Sequence, residues 1–267
     1  MEIRNAEQLT IKMRLIVGRW HDSGRVGNTG AAGNTLEDLL GVEENNLHLP
    51  DFGDIELKTQ KFEGEGALLT LFHKEPLPRA SIPKLLKAMG WRHSDAGGKY
   101  PSTEMSFRST TYGHRYTARG FRLKTEADRI TLIYDPLKVE RAVKDKSEEF
   151  ATYGDWADDI QLRSHPNYRE VLPVYYEIAD LIEDFDVKLD HTLLALYKTR
   201  THEGKKQFWY EEAYLMKDVK EEKIVPLIED GSMAVDFDAR TGHNHGTKLR
   251  VRRSELWRLF TDFRLIE

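Results

Sequence analysis

The chain has 267 residues, enough for one large domain or two modest ones and for a core that needs no covalent staples. Lys and Arg number 40 against 45 Asp and Glu, a net charge of −5, and there is no cysteine, which excludes a disulfide scaffold, a thiolate zinc site, an iron–sulfur cluster and a cysteine nucleophile. A hydrophobic share of 39% with 10% aromatics excludes a disordered chain, and no run nears the roughly 18 apolar residues of a membrane span, so a soluble, cytoplasmic protein is expected.

Taken in order, Asn5 caps a helix running to about Val17, with Leu9, Met13, Ile16 and Val17 as its apolar stripe. A glycine-rich loop follows, then a helix from Gly30 or Gly33 to Leu40, closed by Gly41. The run 49–60 reads as a turn entering a strand, and 67–73 as a strand able to pair with it in a hairpin. A short helix fits 81–89. Residues 104–134 alternate like two or three strands with a basic tip, and Asp135-Pro136 opens a helix to about Phe150. The acidic stretch 151–170 reads as a loop and the natural domain boundary. A helix at 172–185, strands at 191–200, 206–216 and 232–238, a helix at 218–229, a strand at 247–252 and a C-terminal helix from Ser254 complete a mixed α/β or α+β pattern.

The small net charge hides segregation. From Glu140 to Asp190 there are 14 acidic residues against 6 basic, whereas Arg240–Arg258 carries six basic residues against Glu255 alone. Arg108–Arg129, which includes Arg115 and Arg119, carries six against Glu126 and Asp128. A polyanion responds to the local field of a surface more than to the molecular total. Two basic surfaces able to meet phosphate are one reading, and two ordinary solvated faces are the other.

The stretch Asp51-Phe-Gly-Asp-Ile-Glu56-Leu-Lys58-Thr59 carries the clearest chemistry. Alternation along a strand sends Ile55 and Leu57 into the core and sets Glu56 and Lys58 side by side on the other face. The turn after Pro50 can bring the Asp51 carboxylate back toward Glu56. Two converging carboxylates form an oxygen site suited to Mg²⁺, and a neighbouring ammonium can orient a water and balance charge on a phosphate. That is the logic of metal-assisted phosphodiester hydrolysis. A solvated Glu–Lys pair is the plain alternative. Asp54 shares the parity of Glu56 but ranks behind Asp51 as a metal donor.

Thr35-Leu36-Glu37-Asp38-Leu39-Leu40-Gly41, then Pro50-Asp51, then Ile55-Glu56-Leu57-Lys58-Thr59 resembles the MutH-like branch of the restriction-endonuclease fold. The short Asp51-x4-Glu56-x-Lys58 spacing is similar to that of the MvaI/BcnI family of type II restriction endonucleases. A second match lies in Arg240-Thr-Gly-His243-Asn-His245-Gly-Thr-Lys248-Leu-Arg250, where the family carries a similar His-x-His-x4-Arg cluster that reaches the major groove. The resemblance implies an α/β (mixed α+β) PD-(D/E)xK core with two lobes forming a DNA-binding cleft. It implies a catalytic lobe at 1–150 and a recognition lobe at 151–267. It also implies Mg²⁺, a short G·C-rich near-palindromic target in double-stranded DNA, action as a monomer that nicks the strands in turn, and a cognate DNA methyltransferase.

Glu37 then supports the metal or the lysine, Asp51 and Glu56 hold the metal, and Lys58 completes the catalytic set. Arg240, His243, His245, Lys248 and Arg250 meet bases and phosphates, with Arg115 and Arg119 as phosphate clamps. A His243-x-His245 zinc site with Asp236 or Asp238 is a rival reading of the second cluster. A MutH-like repair nickase and a non-catalytic DNA-binding protein are the rival functions.

Overall fold

Leu9, Met13 and Ile16 recur at helical spacing and form the buried stripe of α1 (Ala6–Ile16) in the computed structural model. The described residues are 6–24, 30–42, 54–64, 66–146, 149–163 and 172–266, without the side chains of residues 163, 244 and 245. The glycine loop is followed by α2 (Ala31–Leu40), which ends where Gly41 takes a left-handed φ of 73° and its N–H reaches back to the Asp38 carbonyl. Lys12 of α1 donates to the Leu40 carbonyl at 2.7 Å, where a cation complements the helix C-terminus.

These helices cover one five-stranded sheet. Its path is β1 (Trp20–Asp22), β10 (Lys205–Val219), β9 (His191–His202) and β2 (Ile55–Lys61), with β13 (Phe260–Leu265) also on β10. The core beneath them joins Leu36 and Leu40 to Ile55, Leu57, Leu193, Ala195, Phe208 and Tyr210. The buried Tyr210 hydroxyl donates to the Ala32 carbonyl at 2.7 Å, tying the sheet to α2, and burial pushes its pKa up. Sheet, helices and C-terminal strand make up a first compact unit of Met1–Leu69, Ile182–Lys223 and Arg252–Glu267.

The second unit comprises Thr70–Leu181 and Ile224–Val251. Its larger sheet runs β3 (Leu68–His73), β12 (His243–Arg252), β11 (Met233–Arg240), β5 (Met105–Tyr112) and β4 (Trp91–Arg92), and a three-stranded sheet runs β6 (Arg119–Thr125), β7 (Arg129–Val139) and β8 (Val174–Glu177). The two sheets meet in an aromatic core in which Phe107 packs edge-on against Phe121 and Phe237. Trp156 of α4 (Tyr153–Arg163) closes it from the side, against Trp91, Phe121 and Tyr134. The remaining helices are α3 (Ser81–Met89), α5 (Ile178–Leu189) and α6 (Glu221–Glu229), with a 3₁₀ turn at Arg253–Arg258.

The mixed α+β class agrees with the sequence reading, and several elements do not. β2 pairs in parallel with β9 rather than forming a hairpin with β3, which lies beside β12. A parallel pair needs a long crossover, and here the connection carries most of the second unit. Residue 150 consequently falls inside that unit, so the compact units do not follow a linear division at 150. Asp135-Pro136 lies within β7 instead of starting a helix. Its pairing with β6 jumps from Phe121↔Tyr134 to Arg119↔Val139, so Pro136 sits where the ladder asks for no N–H. The acidic run expected as a loop holds α4, and the helix expected at 172–185 begins as β8 and turns helical at Ile178. In place of a C-terminal helix, the 3₁₀ turn leads into β13. Among the described residues, no helix is long and apolar enough to cross a membrane.

Candidate active site and cationic strand ladder

Strand alternation does on β2 what the sequence predicts. Ile55 is 0% and Leu57 9% exposed, against the helices, while Glu56 and Lys58 stand together on the opposite face. The Lys58 ammonium donates to Glu56 Oε1, and both side chains are largely withdrawn from water, at 16% and 14% exposure. An ion pair so shielded is screened far less than a surface pair. The strand is held at its far end by Arg253, which donates to the carbonyls of Lys61 and Phe62 at 2.7 and 2.8 Å.

Glu37 lies one turn beyond Gly33 on α2. A side chain at Gly33 would meet Thr59 Oγ1 at 3.6 Å and Glu37 Oε1 at 3.9 Å, so α2 crosses close to β2 here. That is the helix-facing side of β2, and Glu56 and Lys58 point from the other. Asp51, the expected second metal donor, lies outside the described residues. Asp54 does not join Glu56: its carboxylate takes the His191 Nδ1 at 2.6 Å. Asp190, His191 and Asp218 bring ligand-type atoms within 4.8 Å of one another at that end of the sheet, a cluster that the sequence reading missed because Asp218 lies 27 residues beyond His191.

The second cluster folds as an antiparallel ladder on one face of β5, β11 and β12. Asp236 accepts from Thr110 at 2.9 Å and from Arg250 at 3.0 Å. Asp238 accepts from Lys248 at 2.9 Å and faces Arg108 Nε at 2.9 Å. Arg240 donates to Glu104 at 2.8 Å and lies over the Tyr100 ring. Asp236 and Asp238, weighed as zinc ligands, instead hold the cations of this ladder extended. His243 is exposed, opposite Arg240 at the turn. Between Phe237 and Ala239 the pairing carries a bulge in which Gly246 adopts a φ of 81°. The His245 side chain lies outside the described residues. Glu75 accepts the Thr247 N–H at 3.1 Å and anchors the strand just after the bulge, a contact invisible in sequence because 172 residues separate the pair.

The two expected phosphate clamps part company. Arg115 is exposed at the β5–β6 turn and rests on the Tyr112 ring. Arg119 is 8% exposed: Nη2 binds both oxygens of buried Asp145 at 3.0 Å, and its guanidinium lies against Trp91, Tyr153 and Trp156 at 4.1–4.7 Å. Burial lowers its pKa and Asp145 opposes the shift, so it stays a cation. Arg119 is a structural charge rather than an exposed clamp.

Every described catalytic candidate thus belongs to the first unit, and Arg115, Arg119, Arg240, His243, Lys248 and Arg250 to the second. A strand-borne Glu-x-Lys pair lies in one unit, and a strand ladder of cations paired with carboxylates in the other. A profile of the MvaI/BcnI restriction endonuclease family matches residues 10–260. The chain belongs to that family, and is a restriction endonuclease, a nuclease that acts on DNA. It is similar to MvaI in complex with its cognate DNA substrate, with 25% identity, 98% of each chain covered and a TM-score of 0.73. It is also similar in fold to MvaI in the absence of DNA, at 23% identity, 100% coverage of each chain and a TM-score of 0.51. A comparison with curated proteins returned no match.

Proposed function

We propose that the protein is a Mg²⁺-dependent, site-specific endonuclease of the PD-(D/E)xK, MutH-like type, with Glu56, Lys58 and Asp51 as its catalytic centre. The observation that carries this reading is the shielded contact between Glu56 and Lys58 on β2, in a family of restriction endonucleases. The donor chemistry fits the ion: Glu56, with Asp51 five residues before it, offers hard carboxylate oxygens and no thiolate. Mg²⁺, when bound, polarises a phosphate oxygen and lowers the pKa of a coordinated water. Lys58 holds Glu56 in the orientation needed for metal binding and places its ammonium where negative charge grows on the phosphate. Glu37, on α2, supports the metal or the lysine.

In this reading the first unit is the catalytic lobe and the second the recognition lobe. Arg240, His243, His245, Lys248 and Arg250 face the major groove of double-stranded DNA, where Arg and Lys suit the O6 and N7 acceptors of guanine, and Arg115 meets phosphate. The target is short, G·C-rich and near-palindromic. The MvaI structure in complex with cognate DNA supports DNA as the partner. The protein acts as a monomer in this reading, as the family resemblance implies; a monomer has one active site and nicks the strands in turn, and it is paired with a cognate DNA methyltransferase. Incubation with plasmid and Mg²⁺ tests the reading: discrete fragments through a nicked intermediate are expected. Nicking that depends on methylation and a partner protein would favour a repair nickase, and strong metal-independent binding without cleavage a DNA-binding protein.

A further inference from the structure

The second unit contains a cleft of about 400 Å³ between β4, the polar side of β5, the start of β6 and the residues Asp145, Lys146 and Tyr153. Among the described residues Arg92, Arg108, Arg119 and Lys146 line it with the carboxylate of Asp145, while Glu149 accepts the Arg92 backbone N–H at 2.9 Å, in a chain whose net charge is −5. Asp145 is already spent on Arg119 Nη2, and Arg119 Nη1 has no hydrogen-bond partner. Arg92 gives Nη2 to the Ala96 carbonyl, and its Nε has none. Buried guanidinium N–H groups without an acceptor are costly, and a group with several anionic oxygens is their natural complement.

The shape narrows the occupant. The cleft is larger than one oxyanion fills and lies within the range of small-ligand sites. Its aromatic walls are not free to stack a base, because the Arg119 guanidinium already covers Trp91 and Tyr153 at 4.2 and 4.1 Å. Arg108 lies on the same sheet face as Asp238 and Lys248, so the cleft continues the charged ladder.

We propose that this cleft is a phosphate subsite that takes the phosphate and sugar of one nucleotide. The phosphate comes from a DNA backbone running along the ladder or from a free mononucleotide. Only the first source rests on the nuclease reading. Arg92 and Lys146 grip the oxygens, while buried Arg119 contributes fixed positive charge.

The test uses the full chain, its Lys146→Ala variant and its Arg92→Gln variant; Lys146 is exposed, so its removal does not endanger the fold. Three probes are titrated while the amide resonances of Ser94 and Thr117 are followed: inorganic phosphate, deoxycytidine monophosphate and a short duplex. Shifts with the duplex, several-fold weaker binding in both variants for cognate and unrelated sequences alike, and a log–log salt slope shallower by about 0.9 assign the site to backbone phosphate. Shifts with the mononucleotide or phosphate and an unaltered duplex salt slope assign it to a free phosphate. No shift with any probe, with variants binding duplex as the wild type does, overturns the proposal. A wild type that binds no duplex removes the nuclease reading instead, and the mononucleotide titration then decides on the cleft.

Discussion

At the scale of single residues, the account turns on charges placed where water is scarce. Glu56 and Lys58 share a shielded contact on β2, and in the proposed reading that contact lies where the phosphate reacts. Glu56→Ala and Lys58→Ala are each expected to lower the cleavage rate by about 10²-fold or more, as losses of electrostatic transition-state stabilisation do. Duplex affinity should be largely retained, which gel-shift titration beside a cleavage time course would check; parallel losses of both would contradict a catalytic role. Arg119 and Asp145 form the opposite kind of pair, buried for architecture. Asp145→Ala strands a guanidinium among three aromatic rings and is expected to cost about 3–5 kcal/mol in denaturant unfolding. Replacing both at once, Arg119→Met with Asp145→Leu, should recover much of that loss. Equal destabilisation in single and double variants would show that the ion pair is not the source.

At the scale of elements, local pattern was legible where each strand face or helix stripe could be read from its own residues. The alternation Ile55/Leu57 against Glu56/Lys58 survives intact, as do α1, α2 and α3. It failed where a distant partner decides. Asp135-Pro136 reads as a helix start, yet a strand register that jumps opposite Gly120 gives Pro136 a place in β7. Gly120 makes that jump possible, with a φ of 79° and no room for a side chain: a Cβ would lie 2.6 Å from the Asp135 carbonyl oxygen. Gly120→Ala is therefore expected to destabilise the fold by about 1–3 kcal/mol in thermal or denaturant unfolding, and a neutral result would refute the strained-turn explanation. The bulge at Gly246 has the same lesson for the site. It shifts the register between β11 and β12, which depends on the pairing of two strands rather than on the residues of either alone. Tyr210→Phe, which deletes a buried hydrogen bond between β10 and α2, should cost about 1 kcal/mol without altering DNA affinity.

At the scale of the whole molecule, the order of residues and the order of space diverge. The acid–Glu-x-Lys pattern and the His/Arg cluster both stood out in sequence, one on each unit, but a boundary near 150 did not describe how the units form. β2 must find β9 across more than a hundred residues, and everything folded in between becomes the second unit. Nothing local encodes that pairing. The same distribution explains why a net charge of −5 misleads about a DNA enzyme. Acidic residues are concentrated between Glu140 and Asp190, whereas Arg108, Lys248 and Arg250 are gathered on one sheet face of the second unit. Duplex binding should accordingly weaken steeply with salt, with log K linear in log salt, and a flat response would show that the ladder does not meet phosphate.

The central claim is that Glu56 and Lys58 belong to a metal-dependent DNA-cleaving centre. Its most direct test is digestion of a sequenced plasmid by the wild type with Mg²⁺, with Mg²⁺ plus excess chelator, and by Glu56→Ala with Mg²⁺, followed by mapping of the cut ends. The account predicts ends at one short recurring sequence from the wild type with Mg²⁺ alone, reached through a nicked form, and intact plasmid in the other two reactions. Cleavage by Glu56→Ala at the wild-type rate, or an inert wild type on DNA of broad sequence coverage, would contradict it.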